Sequence, residues 1–443
     1  MMRRSPLFRK LSLLLVLFLL CAFTLQALER RREQFSTDFG YLVAPIPYIL
    51  PGAGAGLGVI GGFNNIPFGS IETTVDVFAV GVGGGDISGT IAGFTDIPLW
   101  PETLLLDLTT VNFNRGTQKV YRSRGMDEDS DPEDFFYTEL TDTQLQGGRL
   151  ILTLADRMFE IFTIQYDINA ATSGILDNEG ERLATYDPPQ RFEFQSRTYG
   201  SQIDWTDDRT DPRKGLRLVY TRSANPDIEA EAGAPKRIKL DTQDYNATAY
   251  VPVLSNSTIA FNWFRSSALV REQGETDATV IYNYLLSQSQ CTVSGACTAA
   301  EQAAEQAALQ DQANDQAISN RYGTAGSLGG ASRLRSFAGG RFTGAEVGFR
   351  AAELRWNLTD ENTPFDLYFI KDVRTGVQLA LFYEEGSVSD TPSDLWKEKR
   401  SSTGAGARLI TSSGFVYRFD VATGQEGREV ILFVDYPWGT IGQ

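Results

Sequence analysis

The run Phe415-Val416-Tyr417-Arg418-Phe419-Asp420-Val421 sets aromatic or aliphatic side chains at every odd position, with an arginine and an aspartate among the even ones. A β-strand throws successive side chains to opposite faces, so this segment has one greasy face and one charged face. Such a strand suits a wall between lipid and water and fits poorly in the interior of a soluble sandwich. The pattern recurs outward from it. Ile71, Thr73, Val75, Val77 and Ala79 stand against Glu72, Thr74 and Asp76; Leu216, Leu218 and Tyr220 against Arg217, Val219 and Thr221; Ile259, Phe261 and Trp263 against Thr258, Ala260 and Asn262. Segments of this type begin near residues 41, 54, 71, 86, 103, 136, 158, 192, 215, 239, 257, 346, 377, 403, 415 and 429. That is about sixteen strands of about ten residues, an even number as bacterial barrels require. The predicted fold is an all-β, transmembrane antiparallel β-barrel over 41–438. Its connections alternate in length. Ala155-Asp156, Pro252 to Asn256 and Ser412 to Gly414 read as short periplasmic turns, and 115–135, 170–191, 224–237 and 386–400 as external loops.

A mostly apolar run of comparable length occurs once, at Leu11 to Leu25, behind Arg3, Arg4, Arg9 and Lys10. It ends in Gln26 and Glu29, short for a bilayer span, and reads as a signal peptide over 1–27 cleaved after Ala27. A short segment, 28–40, leads into the barrel, and 439–443 form a tail. The whole chain carries 40 basic and 56 acidic residues, and the leader holds four basic and no acidic ones, which leaves 36 against 56, or −20. Such a surface makes nucleic acid a poor partner. Forty-two glycines, 17 tyrosines and 27 phenylalanines beside a mean hydropathy of −0.21 fit a wall with one lipid face and one wet face.

The sequence contains no histidine, which removes Ser-His-Asp chemistry, a His-activated cysteine and His-ligated zinc. No enzymatic role, cofactor or metal is expected. Cys291 and Cys297 lie six apart in one polar segment and point to a local disulfide in an oxidising compartment, the alternatives being a metal site or a nucleophile.

One connection, 266–345, is far longer than the rest, and long loops in compact proteins are functional or disordered. Its stretch from Ala299 to Ile318, rich in Ala, Gln, Glu and Asp, reads as a solvated external helix or a disordered insert. Its later part, Gly329 to Gly344, is a glycine-rich tip with three arginines and two phenylalanines.

At this tip the chain resembles the BamA/TamA family of outer-membrane barrels, the bacterial surface-antigen superfamily. There the loop before the twelfth strand folds into the lumen and carries a Val/Leu-Arg-Gly-Tyr/Phe motif. Leu334-Arg335-Ser336-Phe337 is similar to it, with Ser336 in place of the glycine, and Gly340-Arg341-Phe342 resembles the element that comes after it. Phe382-Tyr383-Glu384-Glu385-Gly386 resembles the family's Phe-x-Asp-x-Gly, with glutamate for aspartate. A guanidinium enclosed in a lumen needs a carboxylate partner. The resemblance and the strand parity therefore pair Arg335 with Glu384 and with Glu353. Asp207, Arg209, Pro212 and Gly215 resemble the family's periplasmic turn between the eighth and ninth strands. Pro45 to Tyr48 with Gly54, Gly56 and Gly58 resembles the first hairpin, and Gly404 to Asp420 the penultimate one. Val434-Asp435-Tyr436-Pro437-Trp438 resembles the terminal strand, with Trp438 where the family ends in Phe. About a dozen residues separate Ala27 from the first strand, so the resemblance is to a member without POTRA domains.

The resemblance implies a bacterial outer-membrane protein of the barrel-insertion or polypeptide-translocation type. Its partners would be outer-membrane lipids together with client polypeptides or a separate periplasmic protein. Pro45, Pro47 and Pro51 lack amide donors and would weaken a seam between the first and last strands; prolines that simply mark a protected edge or a turn are the alternative. The competing reading is a passive, cation-preferring pore or surface antigen in which the loop is a fixed plug.

Overall fold

The computed structural model describes residues 39–50, 54–68, 71–84, 87–127, 130–227, 230, 233–289, 291–292, 297–359, 365–373, 375–411 and 416–438. The signal-peptide reading, most of the 28–40 segment, the turn at 412–414, Phe415 and the tail 439–443 lie outside them.

The strands are β1 Gly40–Leu50, β2 Gly54–Phe68, β3 Ile71–Gly83, β4 Ile87–Trp100, β5 Leu104–Tyr121, β6 Phe135–Leu154, β7 Phe159–Leu176, β8 Arg182–Thr206, β9 Gly215–Ala224, β10 Lys239–Leu254, β11 Ser257–Glu272 and β12 Glu346–Asn357. They continue as β13 Phe365–Leu367, β14 Ile370–Val373, β15 Thr375–Ser389, β16 Arg400–Thr411, β17 Val416–Gly424 and β18 Gly427–Val434. Two helices, α1 Ala278–Gln288 and α2 Ala299–Tyr322, interrupt the connection from β11 to β12. Each strand from β1 to β11 pairs antiparallel with the next, β12 pairs directly with β15, and β15 to β18 continue the ladder to β1. The hairpin β13–β14 stands outside this ring, which is a closed barrel of sixteen strands. Among the described residues no helix is long and apolar enough to cross a membrane.

The alternation read from sequence is the alternation of the wall. Leu218, Phe261, Trp263, Leu354, Trp356, Leu381, Tyr383 and Phe419 are exposed on the outer face. Their neighbours Val219, Asn262, Glu353, Arg355 and Asp420 are buried within. Closure matters physically because a sheet edge in hydrocarbon would strand its amides and carbonyls.

Three expectations are corrected. First, β8 begins at Arg182, ten residues before the expected start, and β5 to β8 run 18, 20, 18 and 25 residues. Residues 115–121 and most of 170–191, expected as loop, are therefore wall. There polar and apolar residues fall on both faces, as in Phe135-Phe136-Tyr137, so hydropathy carries no clean alternation, while the backbone ladder continues from Lys119↔Tyr137 to Tyr121↔Phe135 and from Gly174↔Thr185 to Leu176↔Arg182. Second, the turn from β12 to β15 carries the unforeseen hairpin β13–β14, which lies against β1 with Tyr41↔Lys371 and Leu42↔Ile370 opposed. Third, the terminal strand ends at Val434 rather than Trp438. Asp435 adopts φ +92° and residues 436–438 turn into the lumen.

The rim where β1 begins and β18 ends is the terminal rim; the connection from β11 to β12 leaves from the opposite, loop rim. At the terminal rim Gly215 opens β9 with φ +115°, and a Cβ there would meet the Trp205 carbonyl oxygen at 2.0 Å. Gly215→Ala is expected to destabilise the barrel by roughly 1–3 kcal/mol through backbone strain. The measurement is the temperature at which the folded, fast-migrating form is lost on SDS gels.

Candidate luminal site

The tip of the long connection lies inside the barrel. Leu328 and Phe342 exchange backbone hydrogen bonds at 2.9 and 3.1 Å, and Gly330 N donates to Phe337 O at 2.8 Å, so the segment closes on itself. Leu334 takes φ +52°, while Ser336, standing where the family has glycine, is not in the left-handed region. The turn thus tolerates serine because its strained position is two residues earlier. Leu328, Leu334, Phe337 and Phe342 are buried against Val347, Phe349 and Val388 of the wall, with Phe337 and Phe342 edge to face at 5.0 Å. Gly386 makes room for this: a Cβ there would approach Leu328 Cδ1 at 2.6 Å and Leu334 Cδ1 at 2.9 Å.

Arg335 is fully buried at the centre. Its Nε donates to Glu384 Oε1 at 2.9 Å, its Nη1 to Asp420 Oδ2 at 2.8 Å and its Nη2 to Glu353 Oε2 at 3.1 Å. Its backbone N–H donates to Glu384 Oε2 at 2.9 Å, and the guanidinium lies 3.4 Å from the centroid of Phe382. Sequence parity brought Glu384, Glu353 and Phe382 to this face, and the structure adds Asp420. Three further arginines complete the cluster. Arg355 donates to Glu353 at 2.9 Å, Arg408 to Glu353 at 2.6 Å and Arg418 to Asp420 at 2.7 Å. Four guanidiniums and three carboxylates, all 2% exposed or less, form one network. A charge removed from water costs several kcal/mol unless paired, and here each is paired.

These additional arginines and Asp420 were missed as site residues although the signal was present. Arg355 shares the parity of Glu353 on β12, and Arg418 and Asp420 form the inward face of β17. What the sequence lacked was the shear of the barrel, which sets which inward residues share a level.

Gly340-Arg341-Phe342 fixes the tip a second time, at the loop rim. Arg341 donates to Glu426 at 2.9 Å, to Ser130 O and Oγ at 3.0 Å, and to Ser123 at 3.2 Å. Beside it Arg124 donates to Asp390 at 2.9 Å and Thr324 at 2.8 Å, so the connection from β5 to β6 clasps the root of the long loop. Gly340 takes φ +72°.

Asp207, Arg209, Pro212 and Gly215 are not brought to the tip. Asp207 Oδ1 accepts from the Arg213 and Lys214 amides at 2.9 Å each, and Arg209 donates to Glu160 at 2.8 Å, which shapes the turn from β8 to β9. Cys291 and Cys297 form a disulfide between α1 and α2, and the segment read as a helix or disordered insert is α2. Among the described residues no group of three or more His, Cys, Asp or Glu is placed to hold a metal ion.

Beside the tip, nearer the terminal rim, the lumen keeps a cavity of about 540 Å³ lined by Asp76, Asp107, Arg149, Tyr166, Arg217 and the inward-turned residues after β18.

No protein-family model and no curated protein sequence matches the chain. Among solved structures it is similar to BamA from Haemophilus ducreyi lacking POTRA domains 1–3, at 12% identity and TM-score 0.45 over 90% of this chain and 69% of that one. It is also similar to CdiB from Escherichia coli, at 16% identity and TM-score 0.44 over 89% of this chain and 62% of that one. OccK8 (OprE) from Pseudomonas aeruginosa matches at 9% identity and TM-score 0.33 over 90% of this chain and 99% of that one.

Arg335→Ala leaves three buried carboxylates with less compensation and is expected to cost about 3–5 kcal/mol. The tip should then be cleaved in the folded barrel by a protease that leaves the unaltered loop intact. Arg335→Lys should restore little, because one ammonium cannot reach carboxylates from three strands with fixed geometry.

Proposed function

We propose that the protein is an outer-membrane barrel of the insertion or translocation type, whose working element is the seam between β1 and β18. The observation that carries this is the width of that seam. Among the described residues β1 pairs with β2 at eleven consecutive positions and β17 with β18 at eight, whereas β1 meets β18 at the single pair Ile49↔Leu432.

The cause is readable in the backbone. Amides in a strand point alternately to its two edges, and Val43 N donates away from β2 to Phe369 O at 2.8 Å. Pro45 and Pro47 share that parity, so the donors missing from the ladder are those that would face β18. The ladder to β2 runs uninterrupted. Nearer the terminal rim the same edge of β1 is covered by β14. β18 has eight residues, below the 9–11 that span a bilayer as a tilted strand, so the hydrocarbon beside the seam has to thin. A narrow seam in thinned lipid supports lateral opening toward client strands. The partners this assigns are outer-membrane lipids and client polypeptides, with room for a separate periplasmic protein, and no catalytic step is assigned.

Ile49→Cys with Leu432→Cys, in a background with Cys291 and Cys297 changed to serine, places a closable disulfide across the seam. Oxidation is expected to abolish insertion of a client barrel into proteoliposomes, and reduction to restore it. Unchanged insertion with the seam locked would overturn the reading. The second reading, a passive pore or surface antigen with a plug loop, is supported by the acidic balance. A large, steady, cation-selective conductance of the unaltered barrel would favour it.

A further inference from the structure

The residues after β18 meet a site built for them. Tyr436 donates its hydroxyl hydrogen to Asp211 Oδ1 at 2.6 Å, and Asp211 is fully buried in the turn from β8 to β9. The guanidinium of Arg355 lies 4.2 Å from the centroid of the Tyr436 ring and that of Arg408 5.2 Å. Trp438, 2% exposed, donates its indole N–H to Glu384 Oε1 at 3.1 Å, and its carbonyl accepts from Asn246 at 2.9 Å. Its ring packs in the same buried group as Leu334 and Phe337 of the loop tip. The polar groups of the two aromatic side chains are thus matched by β15 and a turn of the terminal rim, the Trp438 carbonyl by β10, and an arginine of β12 lies against both rings.

Two further facts separate this segment from the barrel that holds it. The last ladder pair, Tyr417↔Val434, and the seam pair at Leu432 both precede Asp435, so among the described residues no strand pairing depends on residues 436–438. The segment is also bracketed by φ +92° at Asp435 and +71° at Trp438, conformations that non-glycine residues keep only when contacts enforce them. The 540 Å³ cavity adjoins Asp435, Tyr436, Pro437 and Trp438 and leaves them space to move into.

We propose that this part of the lumen is a recognition site for a short aromatic peptide of the Tyr-Pro-Trp type, and that residues 436–438 are its resident, exchangeable occupant. The loop tip reaches into the lumen from one rim and residues 436–438 from the other, and they meet on Glu384. Seam opening plays no part in this exchange: the peptide leaves and enters the lumen of a barrel whose wall stays closed.

The test is single-channel conductance of the full chain beside a chain ending at Asp435, each folded in planar bilayers. The shortened barrel should show a mean conductance raised about twofold or more, since removing a plug widens the bore. Free Tyr-Pro-Trp-Gly peptide should return it to the full-chain level in a saturable way, and Ala-Pro-Ala-Gly should not. If the shortened chain does not fold, Trp438→Phe reads the same property: it keeps most of the volume, loses the indole donor to Glu384, and should raise the frequency of open events. Conductance unaltered by shortening and by Trp438→Phe, or raised by shortening but indifferent to the peptide, overturns the proposal. Because the seam variant acts at Ile49 and Leu432, away from these contacts, failure here leaves the proposed function standing.

Discussion

The interior is organised by one guanidinium shared among three carboxylates. If Arg335 leaves its place, Glu384 loses the guanidinium that pairs with it, and Glu353 and Asp420 keep only Arg355, Arg408 and Arg418, in a region where charges are expensive. The three carboxylates belong to β12, β15 and β17, so the arginine does more than seat a loop: it cross-links separate parts of the wall from within. The planar fork suits this, since its donors diverge in fixed directions. The glycine at 386 and the aromatic face of Phe382 let the guanidinium and the loop behind it come close enough for those distances.

This bracing is uneven around the ring. From β12 to β17 the strands are tied both by backbone ladders and by the ionic network. At the junction of β18 with β1 the ladder among the described residues is reduced to one pair, because prolines remove donors on one edge and the inward turn at Asp435 ends the other strand. Rigidity on one side of the seam and sparse pairing at it are complementary: a wall that gives way does so at a defined place when its neighbour is stiff.

Much of this was legible in the residues. Sixteen strands and their order came from a period of two, and the pairing of Arg335 with Glu384 from parity together with the cost of an unpaired charge and the resemblance at the loop tip. Three features were hidden for identifiable reasons. The upper parts of β5 to β8 mix polar and apolar residues on both faces, so their backbone pairing rather than a period of two marks them as strand. The arginines at 355, 408 and 418 were visibly inward, but their level in the barrel depends on stagger between strands, which no local pattern encodes. Tyr436 to Trp438 continue the apolar character of β18, and what turns them inward is a set of distant partners, Asp211, Asn246 and Glu384.

The long strands have a bearing on how the molecule sits. Their surplus length lies at the loop rim, across the ring from the seam, so the wall rises there as a half-collar and falls away toward β17, β18 and β1, which have nine, eight and eleven residues. A cylinder cut on such a slant shields whatever occupies its mouth from one flank only. The helical insert and its disulfide stand beside a parapet, and the wall is lowest where β18 comes up to β1.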